Sequence, residues 1–180
     1  MQLDSFGVRR YPGLDGFVSS KASKRRLRVC IATEEIVGPI ANGGIASTYF
    51  DLARLLVSLG HEVTVLYLKG RLCHNETIEH WIDYYADLGV TFVPLPEIEA
   101  RYESAAPYWQ ERLYNAWQWL SQQPAFDVVH TSEWRGGAFY ALLAKKQGLA
   151  FADTLFIVKT SSPHIWNRHY QMRFLENEQM

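Results

Sequence analysis

The sequence predicts an α/β fold, a Rossmann-like doubly wound parallel sheet, and three observations carry that prediction. Short, nearly continuous apolar runs alternate with longer amphipathic ones, as expected of parallel strands buried on both faces and joined by crossover helices. Five such runs fall within 180 residues, enough for one sheet and one core. Polar residues collect immediately after several of the runs, at the carboxyl ends of strands, where open α/β sheets bind ligands.

The elements follow in order. Residues 1–26 hold scattered Gly, Pro and Ser with no apolar period, and predict an N-terminal arm or linker. Its basic run, Lys21, Lys24, Arg25, Arg26 and Arg28, reads as a solvated charged face, with phosphate contact as the alternative. Residues 27–180 form the domain. "LRVCIAT" (27–33) is the first strand, and a glycine-containing loop leads into a helix in which Ile45, Leu52, Leu55, Leu56 and Leu59 recur at helical spacing before Gly60. "HEVTVLYL" (61–68) is the second strand, "NETIEHWIDYYADLG" a helix, and "VTFVPL" (90–95) a third strand ended by Pro94 and Pro96. The aromatic-rich "APYWQERLYNAWQWLSQQ" is a helix leading to a fourth strand, "FDVVH" (126–130). "GGAFYALLAKKQG" is the next helix and "TLFIVKT" (154–160) the fifth strand, after which a weak helical pattern starts at about Ile165.

Composition narrows the function classes. With 48% hydrophobic and 21% charged residues the chain has material for a real core and lacks the signature of disorder. A formal net charge of −1 gives no global field for nucleic acid or anionic membrane. No stretch reaches the roughly 18 apolar residues of a membrane span, and the N-terminus lacks a hydrophobic signal core, so a cytoplasmic protein is expected. Two cysteines, Cys30 and Cys73, are too few for a disulfide scaffold. Cys73, His74 and His80 match no zinc spacing, so no metal site is expected. There is no G-x-S-x-G elbow and no nucleophile, base and orienter trio.

The candidate site residues stand after the strands. Asn42, Gly43, Gly44 and Ile45 open the first helix, where side-chain-free backbone lets a phosphate or diphosphate approach N–H groups at the positive end of the helix dipole. The spacing is neither G-x-G-x-x-G nor a P-loop, and the glycines could equally serve only a tight turn. Glu34 and Glu35 follow the first strand; His130, Ser132, Glu133 and Trp134 gather at the end of the fourth. Glu133 suits a base or a hydrogen-bond acceptor from sugar hydroxyls, or else a helix cap. His130 suits a base or a structural histidine. Trp134 offers a face for a sugar ring or fills the core. After the fifth strand, Ser161 and His164 supply polar groups, and Lys159 suits a phosphate unless strand alternation turns it onto a covered face.

Taken together and in order, these strand ends resemble the N-terminal domain of glycogen and starch synthase-like retaining glycosyltransferases, the family 4-like group with two facing Rossmann-like domains known as the GT-B fold. That family's first strand ends in a Ser-Glu pair followed by proline, a K-T-G-G-L loop and a helix finishing before G-H-E-V; here the chain reads "ATEEIVGPIANGGIASTYFDLARLLVSLGHEVTV". Its D-V-V-H-x-H-D-W-x-x-G resembles Asp127 to Gly137, and its T-x-H end of the fifth strand is similar to "FIVKTSSPHIW", with the motif histidine on Ser161. The likeness covers most of Leu27 to Trp166.

The resemblance implies the N-terminal half of a GT-B architecture, with the C-terminal donor-binding domain outside this chain. It implies transfer of a sugar from a nucleoside diphosphate sugar to an acceptor hydroxyl, with that donor as co-substrate and no further cofactor. Asn42, Gly43, Gly44 and Ile45 would meet the donor diphosphate, and Glu133 and His130 would be the catalytic candidates. Glu34, Ser132, Trp134, Ser161 and His164 would line the acceptor or sugar side. Alone, the domain is expected to be nearly inactive, to need a C-terminal Rossmann-like partner in cis or trans, and to self-associate through a surface that the partner covers. Where the family has lysine before the two glycines this chain has Ala41 and Asn42, and the H-D-W histidine is Ser132. These departures point away from glycogen synthesis itself, towards another acceptor, and keep open a non-catalytic Rossmann-like module that binds a nucleotide or glycan.

Overall fold

The structure, a computed structural model, describes residues 25–40, 43–96 and 108–161. Its strands are β1 (Arg28–Thr33), β2 (Glu62–Tyr67), β3 (Val90–Pro94), β4 (Val128–Ser132) and β5 (Leu155–Lys159). Its helices are α1 (Gly44–Ser58), α2 (Ile78–Asp87), α3 (Tyr108–Gln122) and α4 (Phe139–Lys146). The five strands form one parallel sheet in the order β3-β2-β1-β4-β5. The predicted arm up to residue 24 and the weak helix from Ile165 lie outside the described residues.

Strand alternation sorts the core into two layers. Ile31, Val63, Val65 and Phe92 face α1 and α2, with Tyr49 and Tyr85 buried among them. Cys30, Ala32, Leu66 and Val129 face the opposite side, against Ala116 and Leu120 of α3 and Ala141 of α4. Complete burial pushes the Cys30 thiol up to about 12, which makes it a packing group rather than a nucleophile. This double winding covers both faces of the central strands.

Helix ends obey local chemistry. The Thr77 side chain caps α2 by accepting from the His80 N–H (3.2 Å). Gly60 (φ +86°) ends α1: its N–H donates to the Val57 carbonyl and that of His61 to the Leu56 carbonyl, the paired bonds of a left-handed C-terminal cap.

Two boundaries differ from the sequence reading. β4 begins and ends two residues later than predicted, because His130, Thr131 and Ser132 pair with Ile157, Val158 and Lys159 of β5. Phe126 and Asp127 lie before it, and the Asp127 carboxylate instead accepts from the Arg28 N–H (2.8 Å) and the Arg25 guanidinium (2.5 Å). Arg28 pairs with Glu62 (3.1 Å) and donates to the carbonyls of Pro124 and Ala125, so these two arginines of the basic run are engaged within the fold. The second difference is a short 3₁₀ turn, Trp134–Gly136, that stands between β4 and α4 and gives no periodic signal.

Candidate functional site

The chain leaves β1 towards β2 on one side and returns from β3 to β4 on the other, so the loops after β1 and β4 diverge and leave a crevice at the switch point of the sheet. The loop after β1 is built rather than loose. Thr33 Oγ1 accepts from the Glu35 N–H (3.1 Å) and donates to the Glu35 carbonyl (2.9 Å), turning the chain sharply. Ile36, Pro39 and Ile40 are buried beneath it. The Tyr85 hydroxyl donates to the Val37 carbonyl (2.6 Å) and the His74 N–H to that of Pro39 (2.7 Å). α1 then starts from Gly43 in extended conformation, with no side-chain hydrogen bond from the described residues capping it.

A cleft of about 530 Å³ opens here, lined by Glu35, Gly44, Ile45, Trp134, Lys159, Thr160 and Ser161. From the predicted set it unites Gly44, Ile45, Trp134 and Ser161, residues from three separate strand ends. A Cβ at Gly44 would meet nothing within 4 Å, so the backbone there faces open space. Gly43 is adjacent, and a Cβ on it would stand 3.6 Å from a carboxylate oxygen of Glu35. Asn42 and His164 lie outside the described residues.

The other described residues of the predicted set stand outside that lining. Glu34 is buried and carries two guanidinium groups, Arg112 of α3 (3.1 Å) and Arg135 of the 3₁₀ turn (3.4 Å). Ser132 is buried, and its hydroxyl accepts from the Trp134 N–H (3.1 Å), setting the direction of the turn that carries Trp134. Glu133 does not cap a helix with its side chain; one carboxylate oxygen accepts from the Ser161 N–H (2.8 Å), and its own N–H donates to the Lys159 carbonyl (3.1 Å). It thereby ties the loops after β4 and β5 together at the edge of the cleft.

His130 is within β4 rather than beyond it, its ring edge-on to Tyr49 with centroids 5.4 Å apart. Burial, then the nearby Lys159 charge, lowers its pKa, which keeps the imidazole neutral at pH 7. Its Nδ1 and the Tyr49 hydroxyl are both buried with no hydrogen-bond partner among the described residues. Burial and then the Glu133 charge push the Tyr49 hydroxyl pKa up, so it stays protonated.

Arg112 and Arg135 escaped the sequence reading as functional side chains. Arg112 gives no local signal, because its partner lies 78 residues away in sequence. Arg135 has a left-handed backbone (φ 54°, ψ 15°), a strained state for a residue with a Cβ, and its guanidinium also lies 5.8 Å from the centre of the Trp134 ring. Among the described residues no three His, Cys, Asp or Glu side chains gather as a metal site, and no helix is long and apolar enough to cross a membrane.

A parallel sheet in this order, wound on both faces and with a cleft at its switch point, defines a Rossmann-like domain. The chain belongs to the glycosyl transferase 4-like domain family, whose model matches residues 43–176, and it is the N-terminal type of domain of GT-B glycosyltransferases. No curated protein matches the chain. Among solved structures it is similar to the C-terminal domain of a hydrogenase from Pyrococcus furiosus, at 11% identity and a TM-score of 0.45 over 77% of this chain and 96% of that one.

Proposed function

We propose that this domain forms the acceptor-side half of a glycosyltransferase that moves a sugar from a nucleoside diphosphate sugar to an acceptor hydroxyl. One observation carries the reading: the first turn of α1, open at Gly44, shares a cleft with the indole of Trp134 and the ammonium group of Lys159. Uncapped N–H groups and a cation suit a diphosphate, and an indole face suits a sugar ring. In the reaction the bond from the anomeric carbon to the diphosphate oxygen breaks, a bond to the acceptor oxygen forms, and the acceptor hydroxyl loses its proton as the nucleoside diphosphate leaves. Glu133 is better situated than His130 to take that proton, since its carboxylate holds the N–H of cleft-lining Ser161, whereas His130 lies within the strand against Tyr49. Retention of configuration belongs to the proposal on family resemblance.

A second Rossmann-like domain, in cis or trans, completes the site in this reading, and this domain alone is nearly inactive. A cytoplasmic setting and a donor that serves as the sole co-substrate belong to the same proposal. The test is an NMR titration of the chain with UDP, ADP and GDP, their sugars and then oligosaccharide acceptors. Amide shifts clustered at residues 43–46, 132–134 and 161–164 are expected; silence across the whole panel overturns the reading. A non-catalytic nucleotide- or glycan-binding module is the second reading, and the Glu35 carboxylate beside Gly43, which opposes an anion at that point, favours its glycan form. Binding without any sugar transfer after addition of a donor-domain partner would select it.

A further inference from the structure

Two of the described side chains lining the cleft carry charge, and they do not neutralise each other. Lys159 Nζ donates to Ser161 Oγ (2.9 Å) and stands 6.0 Å from the centre of the Tyr49 ring, with no carboxylate among the described residues in ion-pair range. The nearest acidic neighbour along the sheet, Glu133, directs a carboxylate oxygen to the Ser161 N–H. The Glu35 carboxylate likewise has no hydrogen bond or ion pair with any described residue, while its neighbour Glu34 carries both arginines. Glu35 follows β1 and Lys159 ends β5, with β4 between them, so their strands stand roughly 10 Å apart at the spacing of a parallel sheet. Trp134, from the turn after β4, lines the same cleft.

Among the described residues, a carboxylate and an ammonium without an ionic partner, from different strand ends, line one cleft together with the apolar groups of Ile45 and Trp134. Charged groups left this way in a partly enclosed site favour a ligand whose own charge distribution is complementary. Glu35 lies beside Gly43 and already compensates the positive end of α1 on its side, so a phosphate is repelled there and drawn towards Lys159 and Ile45. Sugar hydroxyls, which donate hydrogen bonds, suit the carboxylate end.

Resting on the proposed glycosyltransferase reading, we infer that Lys159 holds the phosphate end of the ligand and that Glu35 fixes its polarity, accepting from sugar hydroxyls and excluding phosphate from the Gly43 side. Lys159 then supplies, from the end of β5, a cation on the donor phosphate that the loop before Gly43 does not carry.

The test compares the native chain with Lys159→Ala, Lys159→Arg and Glu35→Gln, titrating each by NMR with inorganic pyrophosphate, which presents the diphosphate charge without a base, and with glucose. Unchanged amide dispersion in the free variants reports that they fold. Lys159→Ala should weaken pyrophosphate about tenfold or more, the loss expected for one charge-assisted hydrogen bond, while leaving glucose within about twofold. Lys159→Arg should stay within about threefold of native for pyrophosphate. Glu35→Gln should tighten pyrophosphate several-fold and weaken glucose. Equal pyrophosphate affinity in native and Lys159→Ala chains, or no gain in Glu35→Gln, overturns this inference while the response of the native cleft keeps the glycosyltransferase reading standing. A native chain whose cleft amides answer neither pyrophosphate nor any nucleotide overturns both.

Discussion

The Glu34 carboxylate sits between two guanidinium groups of unequal exposure. Arg112 is 11% exposed and Arg135 51%, against 6% for Glu34 itself. Removing Arg112 leaves the buried Glu34 only the exposed Arg135, a loss near the low end of the about 3–5 kcal/mol for breaking a buried pair, whereas an exposed ion pair contributes about 0–1 kcal/mol. Arg112→Ala should therefore lower unfolding free energy by about 3 kcal/mol, and Arg135→Ala by no more than about 1 kcal/mol, in urea denaturation. Equal losses would mean that Arg112 does not dominate the pair. The contrast with Glu35 is instructive: two adjacent glutamates after one strand take opposite fates, one clamped in the frame and the other open to the cleft.

β4 and β5 decide how the site responds to acid and to neighbours. His130 lies within β4, and its pKa is held below the ordinary 6.5 by burial and by Lys159. The unfolded chain then binds a proton at higher pH than the folded one, so stability is full above about pH 6.5 and falls as pH drops below it. The His130→Asn chain should lose less stability than the native chain between pH 7.5 and 5.5, and Lys159→Ala should raise the His130 pKa in an NMR titration. Identical pH slopes for native and His130→Asn chains would remove His130 as the source. β5 ends the sheet among the described residues and keeps Leu155, Ile157 and Val158 exposed at 57%, 38% and 42%. An apolar edge strand invites pairing with another chain. Sedimentation at high concentration should show self-association that Leu155→Lys with Ile157→Lys weakens; a strictly monomeric native chain would contradict this.

Across the molecule, the double winding places the loops after β1, β4 and β5 around one cleft, and it rests on signals of short range. Apolar runs, helical periodicity and Gly or Thr at helix ends are local, which is why the alternation of strands and helices was legible from residues alone. The same signals located Gly44, Ile45, Trp134 and Ser161 at one end of the sheet, where the structure joins them in a single cleft. They did not reveal the extra residues of β4 or the 3₁₀ turn, because Thr131 and Ser132 are polar and the turn has no period.

The sequence by itself determined the fold class, the rhythm of elements and the three strand ends that meet, since each is set by side-chain patterning within a few residues. Only the tertiary structure decided which polar side chains at those ends line the cleft. The sharp turn between Thr33 and Glu35 sends neighbouring side chains different ways, Glu34 to the arginines of the frame and Glu35 to the cleft. The partner that claims Glu34 comes from α3, and the cation that shares the cleft with Gly44 comes from β5, contacts made across long stretches of chain that no local pattern encodes.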